Sequence, residues 1–237
     1  MRVNNSPMKK IAVSQSNYIP WKGYFDLIAA VDEFIIYDDT QYTRRDWRNR
    51  NIIKTPQGLQ WLTVPVVGKG RYFQKIYETE IAGSTWAKNH WRALAQNYSR
   101  SPYFEEIASW LEPLYLRETY TQLSPLNLRF IKSVCEYLAI DTLITSSSCY
   151  KPRGDKSERL VHLCLQAGGS KYISGPTAKR YIDEEVFSNA DIALTWFNYG
   201  GYPKYPQLWG KFKHEVSILD LLFNCGKESG QFMKWVS

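Results

Sequence analysis

Apolar positions from residue 10 onward form short continuous runs separated by segments with helical spacing. Residues 10–15 (KIAVSQ) and 33–37 (EFIIY) are apolar runs that predict buried strands, whereas residues 24–31 (YFDLIAAV) repeat their apolar positions like a helix. A strand, a helix and a second strand within about 30 residues make a βαβ unit, which requires parallel strands. The first part of the chain therefore predicts an α/β fold.

A second strand–helix–strand pattern follows later in the chain. Residues 142–146 and 171–173 predict strands, and residues 156–167 between them predict a helix that ends at Gly168-Gly169. Residues 190–197 predict a late strand, and residues 60–67 and 72–82 predict two more. We expect a mainly parallel, Rossmann-like sheet with flanking helices.

Residues 86–139 interrupt this alternation with three helical patterns, at 86–98, 104–116 and 123–139. They predict a helical insertion beside the sheet. Residues 1–7 carry no pattern and are expected to be a disordered extension. Since no linker composition separates the rest, residues 8–237 are predicted to form a single α/β domain.

Composition narrows the choice of partners. Lysine and arginine total 30 against 23 aspartates and glutamates, a net charge of +7. A basic surface suits an anionic small molecule, such as a nucleotide sugar or a phosphorylated carrier, and it also suits RNA. No run of basic residues reaches five, so a basic nucleic-acid arm is not predicted.

The 9 Trp, 17 Tyr and 10 Phe often lie beside Pro, Gly, Arg and Asn, as aromatic residues of sugar or base pockets do. Most of them are equally explained as core and turn residues. The four cysteines form no CxxC pair and are expected to be reduced thiols. No segment is apolar over the length of a membrane span, and residues 1–10 lack the apolar middle of a signal peptide. Together with the reduced thiols, this pattern predicts a cytoplasmic location.

Ligands of parallel sheets bind where the strands end. The segments after the first two predicted strands are therefore candidate binding segments. Asp38 and Asp39 point to opposite faces if the strand continues through them, so they would not form a shared carboxylate pair. One of them could act as a base or metal ligand while the other caps a turn, and we predict Asp38 as the catalytic residue. The predicted substrate-binding residues are Gln15, Asn17, Tyr18, Trp21 and Gln41.

The segment 44–51 (RRDWRNRN) alternates arginine with Trp and Asn. Arginine binds phosphate or carboxylate through paired hydrogen bonds, so Arg48, Arg50 and Asn51 are predicted to bind substrate. The alternative is an ordinary surface loop.

The three histidines, His90, His162 and His214, are too far apart in sequence for a short zinc motif, so no metal site is predicted. His90 and His162 are candidate catalytic bases, although a lone histidine is more often structural.

Two later segments add candidate ligand contacts. Ser174 and Gly175 follow a predicted strand and would present backbone N–H groups to an anion, unless they form a plain turn. Tyr205 and Gln207 lie in the segment YPKYPQ, which predicts a stiff aromatic loop for stacking a sugar or base, or for covering the core.

Residues 15–66, from QSNYIPWKGYFDLIAAVDEFIIYDD to QWLTVPV, resemble the opening of the WbqC-like protein family. The later segments SGPTAKRYIDEE, YPQLWGKF and SILDLLFNCG are similar to its closing blocks. This resemblance implies a bacterial protein of O-antigen, lipopolysaccharide or other surface-polysaccharide biosynthesis. It also implies a transferase that joins glycine or another acyl group to an amino sugar, with charged tRNA as a possible donor. It names no catalytic residue and no cofactor.

The opening is also similar to that of pantothenate-synthetase-like nucleotidyltransferases, but the run PWKGY has no histidine where those enzymes carry H-x-G-H. Three functions stay open at this point. The chain is an acyl or aminoacyl transferase, a nucleotide-binding enzyme on a nucleotidyltransferase-like scaffold, or a non-catalytic sugar- or RNA-binding module.

Overall fold

The computed structural model describes residues 8–236, so the disordered extension predicted for residues 1–7 lies outside the described residues. The chain divides into two compact units, each built from separate segments. The first contains residues 8–14, 27–37 and 141–200, and the second contains residues 15–26, 38–140 and 201–236. The single domain predicted for residues 8–237 stays a prediction.

The strands alternate with helices through much of the chain. In chain order the strands are β1 (Lys10–Ser14), β2 (Glu33–Ile36), β3 (Arg50–Thr55), β4 (Gly58–Thr63), β5 (Leu143–Ser146), β6 (Lys171–Ser174) and β7 (Ala193–Trp196). The α-helices are α1 (Lys22–Ala29), α2 (Thr85–Tyr98), α3 (Phe104–Leu116), α4 (Leu123–Tyr137), α5 (Lys156–Gln166), α6 (Glu184–Asn189) and α7 (Ile218–Cys225).

The first unit contains a five-stranded parallel sheet in the order β5-β2-β1-β6-β7. Residue Ile11 is paired with Glu33 of β2 and Tyr172 of β6, and both neighbours run parallel to β1. Side chains of α5 and α6 complete its core, with Leu163 and Phe187 fully buried. Strands buried on both faces read as continuous apolar runs, which is why the sequence predicts this sheet. The predicted α/β, Rossmann-like fold class is confirmed.

The second unit contains helices α2, α3, α4 and α7 and an antiparallel hairpin of β3 and β4. The hairpin turns between Thr55 and Gly58, and Gly58 has a φ of 116° that favours glycine. Helices α2 to α4 lie within the segment 86–139 that was predicted to be helical, apart from the first residue of α2. Their buried faces include Leu94 and Phe130.

Two strand predictions differ from the structure. Residues 50–55 were not predicted as a strand, because their basic residues hide the pattern; they form β3, which pairs with β4. Residues 72–82 form no continuous strand. The Glu78 side chain accepts a hydrogen bond from the Lys75 backbone N–H at 2.8 Å, which turns the chain into a short 3-10 helix over Ile76–Glu78.

All four cysteines are free thiols, as predicted, and Cys149 is the exposed one. Within residues 8–236, the helices are each too short or too polar to cross a lipid bilayer.

Candidate functional site

The segments that follow β1 and β2 are joined by hydrogen bonds within the second unit. The Ser16 backbone N–H donates to Asp38 Oδ1 at 2.8 Å, and Gln15 Nε2 donates to Thr40 Oγ1 at 2.7 Å. The second carboxylate oxygen of Asp38 accepts from the Ser124 hydroxyl. Asp38 is only 4% exposed, so its buried hydrogen bonds connect the two segments. The catalytic role predicted for Asp38 stays a prediction.

A pocket of about 200 Å³ opens beside the segment after β1, and all of its lining residues belong to the second unit. We call it the tryptophan pocket, and it is lined by Asn17, Pro20, Trp21, Trp47, Asn51 and Glu215. Two indoles provide apolar walls, and two carboxamides and a carboxylate provide polar groups. Three of the predicted substrate-binding residues, Asn17, Trp21 and Asn51, therefore lie together.

Arg48 positions one of these carboxamides. Its guanidinium donates to Asn17 Oδ1, and it also reaches the Ser16 carbonyl at 3.4 Å and the Asp46 carboxylate at 3.6 Å. Because the oxygen of the Asn17 amide is occupied, its NH2 group is the part left for a ligand. Arg48 was predicted to bind substrate directly, and the structure places it behind Asn17.

The backbone of Tyr18 holds the other wall of the pocket. The Tyr18 N–H donates to the Trp47 carbonyl at 3.0 Å, and its carbonyl accepts from Asn51 Nδ2 at 3.1 Å. Asn51 Oδ1 accepts from the Ile52 N–H at 2.8 Å, which fixes the orientation of the amide. The fully buried Tyr18 therefore connects Trp47 with Asn51 without lining the pocket itself.

Trp47 also makes an aromatic contact outside the pocket. Its ring centroid lies 5.5 Å from that of Trp61, and the guanidinium of Arg50 lies 4.0 Å from the Trp61 ring. Both indoles are more than 40% exposed. The predicted site residue Arg50 is thus a cation–π partner of Trp61, and Trp61 in turn contacts Trp47.

His90 is buried in the helical part of the second unit. Its Nδ1 lies 2.9 Å from the Tyr18 hydroxyl, which is also 2.7 Å from the hydroxyl of Tyr115. Burial lowers the pKa of His90 to about 4, so its imidazole is neutral at pH 7. This geometry is that of a structural histidine, and its catalytic role stays a prediction.

Tyr205 and Gln207 meet at the buried carboxylate of Asp220. Tyr205 Oη and Gln207 Nε2 each donate to Asp220 Oδ1 at 2.7 Å, and Tyr98 Oη donates to Oδ2 at 2.7 Å. Gln207 Oε1 also accepts from Lys54 Nζ at 2.7 Å. These predicted ligand residues therefore anchor the segment that leads to α7, instead of lining the pocket.

The remaining candidates lie elsewhere. Gln41 lines a different pocket, together with Arg44 and Arg71. His162 on α5, Ser174 at the end of β6 and Gly175 belong to the first unit. The Ser174 carbonyl accepts from the Phe197 N–H at 2.8 Å. The roles proposed for His162, Ser174 and Gly175 stay predictions.

Three lining residues were not among the predicted site residues: Pro20, Trp47 and Glu215. Trp47 lies in the Arg- and Asn-rich segment 44–51, so the predicted binding residues beside it could have identified it as a site residue. Glu215 precedes α7 and looks in sequence like an ordinary acidic residue at a helix start. The pKa of the adjacent His214 is lowered by burial and by the charges of Lys22 and Lys204.

Metal-binding geometry is not found in the part of the chain that the structure describes, where no three His, Cys, Asp or Glu side chains are grouped to hold an ion.

Comparison with known proteins gives one family. The family model of the WbqC-like protein family matches residues 15–232. The chain is 59% identical over 228 residues to the uncharacterized protein Rv1507c of Mycobacterium tuberculosis, covering 96% of this chain and 99% of that protein. No solved structure matches the chain significantly.

Proposed function

The chain belongs to the WbqC-like protein family, and from this premise we propose that it is a transferase that forms an amide on an amino sugar. The group transferred is proposed to be glycine or another acyl group. The reaction is proposed to serve the synthesis of O-antigen or a related surface polysaccharide in the cytoplasm. The amino sugar would be carried as a nucleotide sugar or on a phosphorylated carrier, and charged tRNA is one possible acyl donor.

The tryptophan pocket is the observation that carries this proposal. Flat apolar walls beside directional polar groups are the usual means of binding a sugar ring, and Trp21 and Trp47 supply such walls. At about 200 Å³ the pocket is smaller than the roughly 300–1,000 Å³ of pockets for drug-sized ligands. It therefore suits a single ring, with the rest of a larger substrate outside.

Amide formation needs a base for the amine and a donor for the carbonyl oxygen, and a carboxylate and a carboxamide at the pocket support this proposal. The sugar nitrogen would bond to the acyl carbon while the bond from that carbon to its leaving group breaks. Glu215 is exposed at the pocket and would accept the proton that the amine loses. The free NH2 group of Asn17 would donate to the carbonyl oxygen as negative charge develops on it.

Binding and turnover are tested separately. Nucleotide-linked amino sugars are titrated into the protein and followed by tryptophan fluorescence, which Trp21 and Trp47 should make sensitive to binding. The bound sugar is then incubated with acyl thioesters and with glycine-charged tRNA, and mass spectrometry detects the amide. A sugar that binds but is never acylated by any donor would mean a binding module instead of a transferase.

Glu215→Gln tests the assignment of the base. We expect turnover to fall by about 100-fold or more, because a general base contributes roughly 10²–10⁴-fold, while sugar affinity changes less than about twofold. Glu112→Gln is the matched control, since Glu112 is an exposed glutamate on α3 that does not line the pocket. Equal turnover in the two variants would remove Glu215 from the mechanism.

A further inference from the structure

A second pocket in the same unit has a different set of lining residues. It encloses about 240 Å³, and we call it the arginine pocket. Its two walls are the segments 41–44 and 71–74. The lining includes Gln41, Tyr42, Arg44, Arg71, Tyr72 and Gln74.

Backbone and side-chain hydrogen bonds fasten the two walls to each other. The Tyr42 N–H donates to the Gln74 carbonyl and Gln41 Nε2 donates to the Tyr72 carbonyl, both at 2.9 Å. Arg44 Nη2 donates to the Gly68 carbonyl at 2.8 Å. The pocket is therefore framed by fixed backbone, as pre-formed ligand sites usually are.

Gln74 lines this pocket and has an unsatisfied acceptor. The residue is only 9% exposed, and its Nε2 donates to the Val67 carbonyl at 3.0 Å, which fixes the orientation of the amide. Its Oε1 is buried, and no residue of the described chain donates to it. A buried acceptor without a donor is unfavourable, so the arrangement indicates a ligand that brings an N–H or O–H group.

Two guanidinium groups give the pocket positive charge. Arg44 lies 5.8 Å from the centre of the Tyr72 ring, and Arg71 pairs with Glu80 at 2.7 Å. That ion pair is exposed on both sides, so it is weak and Arg71 can exchange partners. No carboxylate is among the residues that line the pocket, although Glu80 lies behind Arg71 and Asp46 accepts from Thr43.

Aromatic surface adjoins these charges. The side chain of Tyr72 is 76% exposed and that of the neighbouring Phe73 is 83% exposed. Burial raises the pKa of Tyr42, and its hydroxyl carries a proton at pH 7.

We infer that the arginine pocket binds a phosphate ester whose organic part carries an N–H or O–H donor. The phosphate contacts Arg44 and Arg71, the donor reaches Gln74 Oε1, and a ring lies against Tyr72. Nucleotides and sugar phosphates share this chemistry. The site does not depend on the amide-forming role of the tryptophan pocket.

Calorimetric titration of the full chain tests the site with uridine monophosphate, ribose 5-phosphate and uridine. Both phosphates should bind and uridine should bind at least about tenfold more weakly, as expected for a hydrogen bond to a charged group. A preference for uridine monophosphate over ribose 5-phosphate assigns the site to nucleotides, and equal affinities assign it to sugar phosphates. Affinity for uridine equal to that for its phosphate would overturn the inference, and so would a failure of both phosphates to bind.

Two variants locate the binding. Arg44→Ala should weaken both phosphates about tenfold or more, whereas Arg92→Ala, which removes an exposed arginine of α2, should change affinity less than about twofold. Gln74→Met should weaken both phosphates several-fold while the melting temperature shows that the fold is kept. Wild-type affinity in Arg44→Ala or in Gln74→Met would contradict the assignment. Neither result bears on Glu215→Gln, so the two proposals fail independently.

Discussion

Single side chains in this protein are held by a few strong contacts, and those contacts decide what each residue can do. Asn17 faces the tryptophan pocket with its NH2 group because Arg48 occupies its oxygen. His90 is kept neutral because it is buried beside Tyr18 and 6% exposed. Two residues that were both predicted site residues therefore have different surroundings, Asn17 at a pocket and His90 in the core.

His90 makes the stability of the protein sensitive to acid. Its folded pKa of about 4 lies below the ordinary value of 6.5, so the unfolded chain binds more protons between these values. Stability should therefore fall as pH drops from about 6.5 toward 4. Urea unfolding measures the free energy of unfolding at pH 7 and at pH 5. The decrease between these two pH values should be smaller for His90→Gln than for the wild type. An equal loss in both proteins would refute the prediction.

At the scale of elements, one buried carboxylate ties together parts of the second unit that are distant in sequence. Asp220 on α7 accepts from Tyr98 at the end of α2 and from Tyr205 and Gln207 in the segment before α7. The same segment contains Glu215, the carboxylate of the tryptophan pocket. Gln207 also donates to the Lys213 carbonyl at 3.0 Å, so the network holds the backbone two residues before Glu215.

Asp220→Asn should destabilise the protein by roughly 2–3 kcal/mol. The substitution replaces an acceptor oxygen by an NH2 donor, and this donor would face side chains that already donate to this position. Asp141→Asn, at an exposed position, is the control and should change the free energy of unfolding by less than about 0.5 kcal/mol. Chemical denaturation of both variants measures the difference. A loss in Asp220→Asn as small as in the control would mean that the network contributes little.

At the scale of the whole molecule, charge is the property that bears on partners. The excess of 30 basic over 23 acidic side chains gives a net charge of +7. A positive field favours phosphorylated substrates over neutral ones, and salt screens it. Both proposed ligands, the carried amino sugar and the phosphate ester, are consistent with this charge.

Affinity for a nucleotide sugar should therefore fall several-fold between about 50 and 500 mM NaCl, because the screening length shortens over this range. Affinity for an uncharged sugar fragment should stay within about twofold. Titrations of both ligands at several salt concentrations measure the two slopes. Parallel slopes would show that long-range charge does not select the ligand.

The strands and helices could largely be predicted from sequence, because hydrophobic periodicity is a local property. Strand β1 and helix α4 follow directly from their apolar positions. Strand β3 could not be predicted in this way, since basic residues such as Arg50 and Lys54 occupy it and its pairing with β4 gives it its form.

The sequence by itself determined the α/β class and the family, and it predicted that the segments 15–21 and 48–51 contain candidate binding residues. Only the tertiary structure decided which of these side chains share a pocket. Asn17, Trp47 and Glu215 come together through long-range folding, and Arg48, Tyr18 and Asp220 use their polar groups in buried contacts. The physical reason is that periodicity reports which face of an element is buried, whereas a binding site depends on the direction of single hydrogen bonds between distant segments.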